Sequence, residues 1–559
     1  MVKGVSIREG PIGACDRITH YPRVMPGVSS ALSPLDWIVI GAYFALILVS
    51  GLLLARRGAA TTGDYFLGGG RIPAWAAAVS LVATSMSAAS FIGVPQQSYV
   101  GDLTYLSTNL GMLIAAVVIA GVFVPAFYRS RVQTIYEYLG TRMGPAAGRA
   151  ASLAFMIGRT LASGARIYIG AIPASIILFG DRGLEPGNLL VAIAILSFVG
   201  ITYTLVGGVA SVIWSDVIQM VVLLGACVAA IVVIALRLDA GLGEVVTALS
   251  AGREGGGSKL TLFDTSLDPR AAFSLPAAII GFTIMGLGSY GTDQDLVQRL
   301  LTCRDAKRGA RSVLVGIVMG IPSVALFLVV GLLLWVFYQR PDLIAGEAPT
   351  APDDTRQVFL SFIMHQMPPG LAGLMMAGLF AAGLSSLNST INAMSSTVIN
   401  DFYRKARPAA SEKTLVFAGR VAVVAWGVVL GAFAGVCVWL ERAHSDLGGT
   451  LLTFALTVMT FAYAGLVGVF LTALFTRGRG SGASAAGAIG VGFVAVGLMQ
   501  AMFWGMFVDL GVRRTENPGD PLLWVLDLAF VWKLTIATGL SLAVCLLGKS
   551  PQACRESSS

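Results

Sequence analysis

"SLVATSMSAASFIGVPQQSY", residues Ser80 to Tyr99, lies where its apolar flanks call for a membrane helix, yet it carries six Ser or Thr, two Gln, a Gly and a Pro. Hydrocarbon offers no hydrogen-bond partners, so a spanning segment tolerates such polarity only where it faces protein or a water-filled cavity. The stretch therefore predicts a helix that is interrupted, in its Ser-rich middle and at Gly93-Val94-Pro95, and turned inward. Thr84, Ser85 and Ser87 are placed to satisfy backbone N–H groups loosened by the break.

The rest of the chain supports a membrane setting. Its 559 residues are 56% hydrophobic and 12% charged, with a mean hydropathy of +0.79, which predicts an all-α integral membrane protein. Apolar runs give thirteen candidate spans, at 36–56, 73–100, 105–128, 148–179, 188–206, 213–236, 274–296, 312–337, 371–399, 415–437, 449–475, 483–508 and 524–547. Residues 1–33 lack an apolar core, so they read as a disordered tail and not as a cleavable signal peptide, with Met25 an alternative start.

The net charge of +8 sits in the short loops between spans, where it sets topology and gives no reason to expect a nucleic-acid partner. One set of loops holds 20 Lys and Arg. The other holds 14, or 6 once the N-terminal tail and the long 237–273 loop are set aside. This places the N-terminus outside and the C-terminal tail, 548–559, in the cytoplasm of a cell whose inner membrane holds the protein. Six cysteines (Cys15, Cys227, Cys303, Cys437, Cys545 and Cys554) show no CxxC spacing, so neither a thiolate metal site nor a disulfide framework is expected.

A second span is interrupted like the first, at "GLGSYGTDQD" (Gly286 to Asp295), with four helices between the two breaks. Broken helices at corresponding places in two halves point to an inverted-repeat transporter, in which freed backbone groups bind solute and ion near the midplane. Close packing through Gly and Ser is the competing explanation.

Four motifs then carry a resemblance. "DYFLGGGRIPAW" (Asp64 to Trp75), the Ser80 stretch, "YTLVGGVASVIWSDVIQ" (Tyr203 to Gln219) and "GLSSLNSTINAMSSTVINDFYRK" (Gly383 to Lys405), in this order, resemble the sodium/solute symporter family. The resemblance implies about 13 transmembrane helices with two inverted five-helix repeats, 73–236 and 274–475, whose first and sixth core helices are broken. An extra N-terminal helix, 34–57, precedes them and two C-terminal helices, 483–547, follow. It also implies sodium as the coupling ion. The matching sodium ligands are the carbonyls of Ala83, Met86 and Ala382 and the hydroxyls of Ser385 and Ser386. The chemistry agrees, because a hard cation takes oxygen ligands and an intact helix commits each carbonyl to the N–H four residues on.

Asp216 is the lone acid of its apolar run, and an acid at that depth is a functional candidate. The resemblance makes it part of a second sodium site with Ser385 and Ser389, although Asn388 replaces a hydroxyl there. A role complementing the dipole in the first turn of its helix is the alternative. On the solute side, Ser90 and Ser289 stand where sugar-carrying members have acidic, amide or aromatic groups, which argues against a sugar. Ser87, Ser90, Asn109 and an arginine in the third repeat helix fit an organic acid, with Tyr290 beside Ser289 as a gating ring. That arginine is Arg166, seven residues after Arg159 on the same helical face. Arg159 is expected to snorkel to the cytoplasmic end. Arg166 is expected either to fork onto a carboxylate solute or to pair with a buried acid such as Asp216.

The three histidines, His20, His365 and His444, form no HExxH, and "LLGKS" near the C-terminus lacks the first glycine of a phosphate-binding loop, so an enzyme or ATP-driven pump is not expected. The reading is a sodium-coupled symporter in a lipid bilayer with no obligate protein partner. A passive facilitator or channel and a proton-coupled symporter are its rivals.

Overall fold

The computed structural model describes residues 32–55, 61–252, 257–346, 349–443, 451–500, 525 and 527–550. The expected tail to residue 31, Cys15, Cys554, His20, His444 and the stretch 501–524 lie outside the described residues.

The chain opens with α1 (Pro34–Ala55) and a short α2 (Thr62–Leu67). Thr61 and Asp64 form a capping box at the start of α2, and Gly68, Gly69 and Gly70 follow with φ of 59°, 63° and 67°. Three left-handed residues in succession need glycine. They turn the chain by 112° into α3 (Ala74–Ser85), which explains the "FLGGGRIPAW" motif.

Between α3 and α4 (Ala88–Val100) the backbone is extended at Met86 (ψ 128°) and Ser87 (ψ 174°). The interruption is there, and not at Gly93-Val94-Pro95, which lies inside a continuous α4. A proline removes one N–H, and membrane helices absorb that loss through their neighbours. Here α12 (Ala306–Gln339, below) comes so close that a Cβ on Gly331 would meet the Pro95 carbonyl oxygen at 2.0 Å.

The first half continues through α5 (Thr104–Ser130), α6 (Ile135–Met143), α7 (Pro145–Phe179), α8 (Pro186–Arg237) and α9 (Leu242–Ala251). The spans expected at 188–206 and 213–236 are one run, α8, bent at Gly208 with φ 60° and ψ −165°. The second half begins with α10 (Ala277–Thr292) and α11 (Gln294–Leu301), parted at Asp293, whose side chain caps α11 by accepting from the Asp295 N–H. It proceeds through α12, α13 (Val358–Gln366), α14 (Leu371–Thr397), α15 (Glu412–Ala443), α16 (Leu451–Phe475), α17 (Gly482–Met499) and α18 (Phe530–Leu547).

Among the described residues ten helices are long and apolar enough to cross a membrane, or eleven if the bent pair Thr62–Gly70 and Ala74–Ser85 counts as one. The expected thirteen is not reached by this measure. The three ranges that fall short, 73–100, 188–206 and 274–296, are broken, bent or too short. The α14 helix is buried on nearly every side and packs most extensively on α8, while α3 and α4 pack on α12. By contrast α15 presents Phe417, Val421, Val428 and Trp439 outward.

Candidate functional site

Breaking the helix at Met86 and Ser87 changes where the backbone bonds go. The Met86 N–H still reaches the Val82 carbonyl at 3.0 Å, but the Ser87 N–H turns to the Ser90 hydroxyl at 3.3 Å and leaves the Ala83 carbonyl without its helical donor. Ser87 does what was expected of it, in a capping box with Ser90 at the start of α4, whereas Thr84 and Ser85 turn elsewhere. Ser85 bonds back to the Val82 carbonyl at 2.7 Å, and Thr84 pairs with Ser389 of α14 at 3.2 Å.

The break faces α14. A Cβ on Gly383 would lie 3.9 Å from the Ala88 Cβ, and the Thr84–Ser389 bond fixes the register one and a half turns further on. Ala382, Ser385 and Ser386 are buried on this stretch. Carbonyls freed at the end of α3 and hydroxyls of α14 are an all-oxygen donor set, which fits a hard monovalent or divalent cation and offers nothing to a thiophilic one. Ser385 donates to Asp216 Oδ1 at 2.5 Å, so its lone pairs stay free.

The expected solute residues converge on one central cavity of about 120 Å³, lined by Ser87, Ser90, Asn109, Arg166, Ser289 and Tyr290, with Met86, Met459 and Leu452 among the others. Asn109 spends one of its two amide N–H groups on the Leu106 carbonyl at 2.9 Å, leaving the other as a donor and its oxygen as an acceptor. Arg166 reaches the Ser386 hydroxyl from Nη1 at 3.3 Å and the Met459 sulfur from Nη2 at 2.9 Å, while its Nε has no partner.

Two expectations for the arginines are corrected. Arg159 does not snorkel: it is 2% exposed and bonds Asp293 at 2.6 Å and Asp295 at 3.3 Å. Asp216 does not pair with Arg166. Its carboxylate takes bonds from Ser80 and Ser385, both at 2.5 Å, and lies 3.6 Å from Arg299. Arg299 also donates to Ser389 and Ser80 and pairs with Asp295 at 3.3 Å. Nor does Asp216 sit in a first turn, since it comes eight residues after the Gly208 bend at which that part of α8 begins.

Arg299, Asp293 and Asp295 are functional-site neighbours that the sequence reading missed. Arg299 lies between the expected spans 274–296 and 312–337, where a charge reads as belonging to a loop, yet it is 1% exposed. The available signal was "DQDLVQR", three charges within seven residues at the end of an apolar run that carries no other charge. Two guanidinium groups and three carboxylates interlock there, with Thr390 donating to Asp295 at 2.9 Å. Breaking a buried pair of this kind typically costs ~3–5 kcal/mol.

Two broken helices whose free ends meet a buried polar helix beside a solute-sized cavity define a membrane transporter in which ion and solute bind together. The sodium:solute symporter family profile matches residues 65–490, and the chain belongs to that family. It is a sodium-coupled solute symporter, a multi-pass membrane transporter and not an enzyme, with sodium as the co-transported ion. This sets aside the passive facilitator and channel.

The chain is 30% identical over 476 residues to the sodium/sialic acid symporter SiaT of Proteus mirabilis, covering 83% of this chain and 88% of that one. It is 30% identical over 449 residues to the human sodium/iodide cotransporter, covering 78% of this chain and 65% of the relative. To the sodium-coupled monocarboxylate transporter 2 of Danio rerio it is 27% identical over 475 residues, with 84% and 71% covered. The fold matches a substrate-bound, outward-open Na+-coupled sialic acid symporter with a TM-score of 0.72 at 24% identity, over 92% of this chain and 97% of that one.

Proposed function

We propose that this symporter imports a small carboxylate-bearing solute, gripped by Arg166, together with sodium held where α3 breaks against α14. The observation that carries the solute class is the state of Arg166: its guanidinium lines the cavity, its Nε has no partner, and no carboxylate of the described residues lies within ion-pair distance of it. A cation at that depth is unfavourable by ~2.5–3.5 kcal/mol unless it meets a counter-charge or a polar cavity. The planar fork fits a carboxylate through two parallel hydrogen bonds, and Ser87, Ser90, Ser289 and the Asn109 oxygen offer partners to the rest of the solute. Relatives named for sialic acid, a carboxylated sugar, and for monocarboxylates agree with this class. The argument against sugars is therefore narrowed to those without an acid group.

In this reading the sodium ligands are the carbonyls of Ala83, Met86 and Ala382 and the hydroxyls of Ser385 and Ser386. A second sodium at Asp216 and Ser389 would compete with the Arg299 guanidinium that engages both. The thirteen-helix arrangement assigns 34–57 to the extra helix, 73–236 and 274–475 to inverted repeats and 483–547 to the last two helices. Its support is that a broken helix opens each repeat, α3–α4 in one and α10–α11 in the other. The outward apolar face of α15 suits lipid, and the loop charges favour an inner membrane with the N-terminus outside and the C-terminus in the cytoplasm.

The test is binding by the purified protein in sodium buffer, read by thermal shift across paired solutes that differ only as carboxylate and amide. Carboxylates stabilise the wild type and their amides do not. Arg166→Ala loses the response and Arg166→Lys keeps part of it. Equal stabilisation by an amide, or an unchanged response in Arg166→Ala, contradicts the proposal.

A further inference from the structure

The same arginine touches the sodium side of the site. Arg166 Nη1 donates to the Ser386 hydroxyl at 3.3 Å, and Ser87, Ala88, Ser163, Arg166 and Ser386 enclose a gap of about 10 Å³ between them, the size of a single water. The guanidinium therefore stands one hydrogen bond from an oxygen assigned to sodium. The carboxylates that could cancel its charge are committed elsewhere, Asp293 and Asp295 to Arg159, and Asp216 and Asp295 to Arg299.

We propose that the Arg166–Ser386 hydrogen bond is the element that couples solute to sodium, by making an unoccupied guanidinium repel the ion. This rests on the sodium and carboxylate sites described above. With no anion on it, Arg166 places a full positive charge beside the ion and draws electron density from the Ser386 oxygen, so sodium binds weakly. A carboxylate that forks onto Arg166 brings the opposite charge and takes over the guanidinium N–H groups. The Ser386 lone pair is then free for sodium, and the repulsion is cancelled. Linkage is reciprocal, so sodium tightens the carboxylate by the same factor. Neither partner alone fills the site well. This is what a symporter needs in order not to carry sodium without its solute.

The experiment reads sodium and does not require the transported solute to be known. Binding of radiolabelled sodium to the purified full-length protein is measured by scintillation proximity in chloride buffer. It is repeated with acetate and with its neutral isostere acetamide. In the wild type, acetate tightens sodium binding and acetamide does not. Arg166→Gln, which removes the charge, binds sodium more tightly than the wild type with no additive, by a factor within the roughly 5- to 150-fold range of ordinary coupling energies. Acetate does not change it further. Arg166→Lys keeps the charge and binds sodium as weakly as the wild type. If Arg166→Gln binds sodium no more tightly than the wild type, the inference is overturned whatever the solute proves to be. The acetate against acetamide comparison uses the wild type alone, so equal effects of the two overturn it even where the variants fold poorly. Carboxylate recognition fails separately, in the paired-solute binding test.

Discussion

Ser385 and Ser386 are neighbours with different work. Ser386 faces the gap beside Arg166 and Ser87, while Ser385 gives its proton to Asp216. Removing the Ser386 oxygen takes away a ligand directly. Removing the Ser385 oxygen takes away a ligand and also frees one bond of Asp216, which still has Ser80 and Arg299. In uptake assays Ser386→Ala should raise the sodium concentration for half-maximal transport by about 10-fold, equivalent to ~1.4 kcal/mol, and Ser385→Ala by at least as much. Unchanged sodium dependence in both variants would falsify the ligand assignment. At this scale the sequence was readable where a side chain's chemistry has one sensible use. Arg166 on an apolar helix must face something polar, and it does. It was unreadable where partners come from elsewhere in the chain. No local pattern says that Arg299 turns inward to Asp216, 83 positions away along the chain, or that Arg159 is met by the capping residue of another broken helix.

The breaks are the elements that matter most, and their location follows backbone accounting more than breaker residues. Gly93 and Pro95 looked like the weak point, but both sit against close backbone neighbours, Leu452 and Gly331, that hold α4 together. At Met86 and Ser87 the chain gives up helical bonds because Ser90 supplies an alternative acceptor. A glycine decides the next element. Gly208 bends α8 in a region of φ and ψ that is almost closed to other residues, and a Cβ there would meet the Tyr65 carbonyl oxygen at 2.5 Å. That carbonyl belongs to α2, which is further tied down by Gln298, donating to the Phe66 carbonyl at 2.6 Å, and by Glu412, accepting from Thr62 at 2.8 Å. Gly208→Ala should therefore cost ~1–3 kcal/mol of backbone strain and push α2 off α8. The expected result is a thermal unfolding midpoint several degrees below that of the wild type in detergent, with reduced transport. A midpoint equal to the wild type would mean that α8 can straighten without cost.

For the whole molecule, hydropathy disclosed the class and motif order disclosed the family, because both are properties of the chain read in one direction. The count of crossings was less legible, since the three ranges that fail a simple length test are those that bend or break. Function depends on these irregular spans. The end of α3 and the Arg166 face of α7 line the central cavity, the centre of α14 meets them at the small gap beside it, and no single segment contains more than part of this arrangement. The central claim is that sodium drives a carboxylate solute through that cavity by way of Arg166. Its most direct measurement is uptake of paired labelled carboxylates and amides into proteoliposomes, with an inward sodium gradient and with potassium replacing sodium on both sides. The account predicts that a carboxylate accumulates above its outside concentration only with the sodium gradient, and that Arg166→Ala abolishes this accumulation. Sodium-driven accumulation of a neutral solute that persists in Arg166→Ala would contradict it.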